Sequence, residues 1–154
     1  MRRAMRNTTR QDRPAHLILG ERGERFALEF LKHRHGYQIV ARNFSTPLGR
    51  NRRGAPIRGE IDIIAYDGNT LAFVEVKTRL SEGIATAAAA VDRSKQRTVA
   101  RTASVYRRLM HLDGVNYRFD LVTVVFDKGT SPRITLHKGY FTERAMPSPR
   151  VPVY

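Results

Sequence analysis

The chain contains no cysteine. That removes disulfides, thiolate zinc sites and cysteine nucleophiles together, and it fits a reducing cytoplasm. No apolar run approaches the length of a membrane-spanning helix, so no membrane partner is expected. The arginine-rich start is followed only by the short apolar string AHLIL, so the reading is of a chain without a secretory signal. Acidic residues are scarce: 14 Asp and Glu stand against 28 Lys and Arg, a formal net charge of +14. An excess of that size in a cytosolic chain points to a polyanionic partner, nucleic acid first, with a general basic surface bias as the alternative. No glycine-rich phosphate loop, Ser-His-Asp arrangement or internal repeat stands out.

What is present suits one domain. The chain has 154 residues, of which 41% are hydrophobic, enough for a core without a disulfide staple. Residues 1–16 carry Arg2, Arg3, Arg6, Arg10 and Arg13 with little that is apolar, and read as a disordered basic arm. Residues 17–141 read as the domain. Residues 142–154, with Pro147, Pro149 and Pro152, read as an extended tail. Helical periodicity predicts a first helix over Ile18–His35, ended by Gly36, with Phe26, Ala27, Leu28, Phe30 and Leu31 on one apolar arc. Glu24 falls inside that arc. A strand is predicted over Tyr37–Phe44, a loop over 45–58, and a β-hairpin over Gly59–Arg79. The string IATAAAAV, 84–91, is ambiguous between helix and packed loop. A second helix is predicted over Asp92–Met110, with Ala103, Tyr106, Leu109 and Met110 inward, then strands over Tyr117–Asp127 and Arg133–Phe141. The order α-β-β-β-α-β-β implies an α/β domain, a mixed sheet flanked by helices.

The hairpin carries the chemistry. A turn at DGNT, residues 67–70, sets Tyr66 against Leu71, Ile64 against Phe73, Asp62 against Glu75 and Glu60 against Lys77, all on one face. A turn centred on Asp67-Gly68 makes Asp62 and Glu75 diagonal neighbours on that face instead. The other face holds Ile61, Ile63, Ala65, Ala72, Val74 and Val76. Opposed strand residues have Cβ atoms about 4.5–5.5 Å apart, and like charges there are destabilising. Two carboxylates held so need a cation, and oxygen ligands without cysteine suggest Mg²⁺ or Mn²⁺ rather than zinc. Lys77 points the same way as Glu75. The competing account is a plain ion pair of Lys77 with Glu75 or Glu60 at a solvated sheet end.

Asp62 followed by Glu75-Val76-Lys77 resembles the bipartite motif of restriction-endonuclease-like nucleases. LGERGERFALEFL, GEIDIIAYDG, FVEVKTR, AVDRSKQR and RFDLVTVV together resemble the YraN-like family of small bacterial proteins, related to archaeal Holliday-junction resolvases, over about Leu19 to Val125. The resemblance implies an α-β-β-β-α-β nuclease core with Glu24, Asp62, Glu75 and Lys77 at the family's active-site positions. Residues 50–58, RNRRGAPIR, look like an insertion before GEID that extends a nucleic-acid grip or occludes the site.

The expectation is a metal-dependent endonuclease, its substrate nucleic acid with DNA ahead of RNA, in which Asp62 and Glu75 hold the metal. Lys77 orients the attacking water, and Glu24 completes the metal's shell. Arg50, Arg52, Arg53, Arg58 and Arg79 are candidate backbone contacts. So are Lys95 and Gln96, early in the second helix. Cleavage of a junction would call for a homodimer. Alternatives are a non-cleaving nucleic-acid-binding protein of the same fold and a ribonucleoprotein assembly factor. Asp92 is expected to cap the second helix, Asp120 to be a structural partner near Arg118, and His33 and His35 to be solvated.

Overall fold

The computed structural model describes residues 13–81 and 91–143. Most of the basic arm, all but Val91 of IATAAAAV, and most of the proline-containing tail lie outside the described residues. The elements are α1 (Ala15–His35), β1 (Gln38–Arg50), β2 (Pro56–Asp67), β3 (Thr70–Leu80), α2 (Arg93–Leu109), β4 (Tyr117–Phe126) and β5 (Arg133–Phe141). Their order is the one the periodicity predicts. No helix among the described residues is long and apolar enough to cross a membrane.

Helix α1 starts three residues before its predicted start, so Ala15 and His16 belong to the helix rather than to the arm. It ends as expected at Gly36, whose φ of 67° suits a residue without a Cβ. Tyr37 N–H then closes onto Leu31 O at 3.0 Å. The buried stripe of α1 is Gly23, Ala27 and Leu31, at spacing i, i+4, i+8. This stripe is the middle of the predicted arc; Phe26 lies at the arc's edge, 36% exposed and edge-on to Phe126. In α2 the buried residues are Val99, Ala100, Thr102, Ala103 and Tyr106. Leu109 and Met110 were expected inward but are 60% and 50% exposed. They follow the last turn that meets the sheet, and Tyr106 is the last side chain that reaches it.

The five strands form one sheet in the order β1-β2-β3-β4-β5. Strands β3 and β4 are parallel and the other neighbours antiparallel, so the sheet is mixed. The parallel pair requires a crossover, and α2 lies within it. Helix α1 covers one face over Ile63, Ala65, Ala72, Val74, Val122 and Val124. Helix α2 covers the other over Ile61, Ile64, Leu71, Phe73 and Phe119. Both faces of the hairpin are therefore buried, as expected, although Ile61 joins the α2 side rather than the α1 side. The architecture is the α/β arrangement of a restriction-endonuclease-like core.

The predicted 45–58 loop is mostly strand. Pairing of β1 with β2 continues from Gln38–Tyr66 through to Arg50–Pro56, with a register shift between Pro47 and Arg50. The shift accommodates a proline that has no N–H to donate. What remains of the loop is a turn in which Asn51 Oδ1 accepts from Arg53 N at 2.9 Å and Ala55 N at 3.0 Å.

Two glycines set how closely the helices sit on the sheet. A Cβ on Gly23 would lie 1.8 Å from Thr78 Oγ1, and one on Gly59 would lie 2.0 Å from Thr102 Oγ1. Gly23 thus lets α1 rest on β3, and Gly59 lets α2 rest on β2. Each precedes a glutamate, Glu24 and Glu60.

Candidate functional site

The turn falls at Asp67–Thr70, and pairing runs Tyr66–Leu71, Ala65–Ala72, Ile64–Phe73 and Ile63–Val74. It stops there. Beyond that point β2 stays with β1, and β3 stays with β4 as far as Leu80–Phe126. The sheet forks, and the next residues on the two arms are Asp62 and Glu75. The two carboxylates are not a direct cross-strand pair as expected. Asp62 Oδ2 instead accepts a hydrogen bond from Val76 N–H at 2.7 Å. The carboxylate takes up a β3 amide that has lost its strand partner, because buried N–H groups are costly to leave unpaired.

Glu75 is 6% exposed. Its Oε2 lies 3.3 Å from Lys95 Nζ, in the first turn of α2, and its Oε1 is buried without any hydrogen-bond partner. Burial and then the charge of Asp62 push the Glu75 carboxyl up to about 8, against the pull of Lys95 and Lys77. Asp62 is raised too, chiefly by burial, and the Val76 N–H works against this. Of the two, Glu75 keeps the proton, because Asp62 already has a donor that favours its ionised form. Glu24, from α1, is raised by burial and by the charge of Asp62 and lowered by Arg42. The structure therefore brings Glu24, Asp62, Glu75 and Lys77 into one electrostatic neighbourhood at the fork.

The remaining candidates divide. Lys95 meets a carboxylate of the site, the ion pair that the sequence reading assigned to Lys77. Gln96 donates its side-chain amide to Val91 O at 3.0 Å, within the start of α2. Asp92 caps α2 by accepting from Lys95 N at 2.8 Å, as expected. Arg79 follows Lys77 on the same face of β3, and its Nε is buried without a partner. Arg52, Arg53 and Arg58 are exposed around the β1–β2 turn, and Arg50 Nη1 donates to Gly54 O at 2.7 Å. Asp120 is structural, as read: it accepts from Arg118 Nε, Tyr37 OH and Gly139 N, each at 2.9 Å. His33 is exposed and pairs with Glu29.

Sequence reasoning missed two further features. Gly23 holds Glu24 against the sheet, and the repeated Gly-Glu at 23–24 and 59–60 was its visible trace. The second is a cleft of about 500 Å³ beside Glu24, lined also by Arg22, Arg25 and Arg42. Arg22 and Arg25 come from α1 and Arg42 from β1, so no single linear pattern announced the group.

A divalent cation is compatible with the fork. The donors are carboxylate oxygens, and one of them, Glu75 Oε1, is buried and unpartnered. Among the described residues no three His, Asp or Glu side chains are grouped to hold a metal by themselves. Mg²⁺ is commonly bound through one or two carboxylates, with water and substrate phosphates filling the rest of its shell. Asp62 and Glu75 fit that part.

A family model described as Uncharacterised protein family UPF0102 matches residues 23–124. The chain belongs to this family. The UPF0102 match runs from Gly23 to Val124 and so takes in Glu24, Asp62, Glu75, Lys77 and Lys95. A UPF0102 protein of Koribacter versatilis (strain Ellin345) is 45% identical over 130 residues, 84% of this chain and 83% of that one. A UPF0102 protein of Geobacter sulfurreducens (strain ATCC 51573 / DSM 12127 / PCA) is 40% identical over 117 residues, covering 76% of this chain and 83% of its own. Among solved structures, the crystal structure of SSO0001 superposes with a TM-score of 0.37 at 16% identity, over 90% of this chain and 64% of that one. That likeness carries no argument.

Proposed function

We propose that this UPF0102 protein is a metal-dependent endonuclease that hydrolyses phosphodiester bonds at the β2–β3 fork. The observation that carries the reading is Glu75 Oε1, a buried carboxylate oxygen without a partner beside a second carboxylate. The Lys95 contact reaches only Oε2 and leaves Oε1 uncompensated, and an unsatisfied buried acceptor costs about 1–3 kcal/mol. The divalent cation, Mg²⁺ or Mn²⁺, would supply positive charge against the negative charge developing on the phosphate. Asp62 and Glu75 would hold it. Asp62 is pre-oriented by the Val76 N–H. Lys77 orients the attacking water and offsets charge on the phosphate oxygens, and Glu24 contributes from α1. The arginines around the cleft and the β1–β2 turn hold the nucleic-acid backbone, with DNA preferred over RNA.

The second reading is a nucleic-acid-binding protein of this fold that does not cut. The Lys95–Glu75 contact favours it, because an ammonium already neutralises one carboxylate. A panel of labelled branched, duplex and single-stranded substrates separates the two. Cleavage that needs Mg²⁺ or Mn²⁺ and disappears in Lys77→Ala supports the enzyme. Binding without cleavage across the whole panel refutes it.

A further inference from the structure

The arginines proposed above to hold the backbone lie near the fork or on the β1–β2 turn. Helix α2 carries a separate feature. Its sequence, RSKQRTVARTASVYRRL, contains no acidic residue. At 100° per residue, Arg93, Arg97, Arg101, Ser104 and Arg108 fall within one arc of about 80°. Val99, Ala103 and Tyr106, which are buried, lie on the opposite side of the helix, and Lys95 turns with them toward Glu75. The four arginines are exposed. None of them pairs with a carboxylate among the described residues.

The neighbouring surface extends the same charge. Arg101 Nη2 donates to Leu48 O at 2.5 Å, which docks the middle of α2 against the end of β1. A cleft of about 330 Å³ opens there, with Arg101, Ser104, Val105 and Arg108 on one bank and Pro47 and Leu48 on the other. Beyond it stand Arg52, Arg53 and Arg58, exposed.

We propose that the outer arginine face of α2 and the Pro47–Leu48 cleft bind the phosphate backbone of duplex nucleic acid, on a surface separate from the carboxylate fork. Three features select this occupant. Arginine forks match phosphate oxygens bidentately, and the cations of this face are all arginine. The arc has no aromatic side chain, and single strands are gripped largely by stacking on aromatics. The arc has no apolar side chain either, and the cleft adds Pro47, Leu48 and Val105 beside it, whereas a helix that docks on a membrane buries a continuous apolar face. Because the face turns away from the fork, its role is grip rather than chemistry. The inference rests on the nucleic-acid part of the proposed function and is independent of cleavage.

The test is fluorescence anisotropy of the full chain with a labelled 20-base-pair duplex across a salt series, in EDTA so that nothing is cut. Each phosphate contact contributes about 0.9 to the slope of log K against log salt. The variant R97Q/R101Q/R108Q should flatten that slope by roughly 2.7 and weaken binding at low salt. Among the described residues Arg97 has no carboxylate or carbonyl partner, so Arg97→Gln alone, with a loss of roughly 0.9, serves if the triple variant melts early. Arg133→Gln, on β5 and paired with Asp127, should leave the slope unchanged. Unchanged slopes in both the triple and single variants overturn the proposal while leaving the nuclease reading standing. So does vesicle binding, to phosphatidylserine-rich liposomes, that depends on these arginines while duplex binding does not. Failure to cleave any substrate, with the slope lost as expected, overturns only the nuclease reading.

Discussion

The Glu75→Gln variant should gain stability relative to wild type as pH rises. In the metal-free protein the carboxyl of Glu75 is held from its ordinary 4.5 up to about 8. The folded state then binds a proton that the unfolded state has released, so stability is greatest below pH 4.5 and falls as pH rises toward 8. The slope is about 1.4 kcal/mol per pH unit, or roughly 5 kcal/mol over the whole window. Lys95 is half-exposed and the two carboxylates titrate together, so a few kcal/mol is the scale to expect. An amide has no such proton to lose. The difference in unfolding free energy, variant minus wild type, should therefore climb by a few kcal/mol between pH 5 and pH 9. Urea denaturation of both proteins in EDTA at pH 5, 7 and 9 measures it, and the subtraction removes other titrating groups. A flat difference, or a variant that loses ground at pH 9, would refute the account of Glu75 as an under-compensated buried carboxylate.

Two further predictions concern the scaffold. Gly23→Ala adds a helix former worth about 1 kcal/mol in an exposed helix, yet its Cβ would meet Thr78 Oγ1 at 1.8 Å. Overpacking of this kind costs about 1–3 kcal/mol. The variant should be less stable by thermal melt, and Thr78→Ala in the same chain should recover part of the loss; a Gly23→Ala protein as stable as wild type would contradict the close approach. Asp120→Asn removes the charge at the centre of the Tyr37–Arg118–Gly139 cluster and should cost about 3–5 kcal/mol in chemical denaturation. A cost below 1 kcal/mol would mean that Arg118 is satisfied by Asp67 alone.

Much of this was legible in the sequence. The hairpin alternation assigned the shared faces correctly from Ile63 to Val74, though not for Ile61, and DGNT placed the turn, because both depend on local backbone geometry. What the alternation could not reveal is that β2 and β3 part after Ile63–Val74. That depends on β1 and β4 each holding its own partner, which is a property of the whole sheet. Asp62 bonded to Val76 N–H, rather than facing Glu75, follows from the parting. The Lys95–Glu75 contact was hidden for the same kind of reason: two elements distant in sequence meet only after α2 crosses over the sheet. Leu109 and Met110 misled because apolar character was taken for burial, whereas Gly23 and Gly59 set where the helices touch.

The central claim is that Asp62 and Glu75 together hold one divalent cation. Isothermal titration with Mn²⁺ tests it most directly. Wild type should bind one ion, and the site should vanish in both Asp62→Asn and Glu75→Gln while surviving in Arg133→Gln. A site that persists undiminished in either carboxylate variant would contradict the claim.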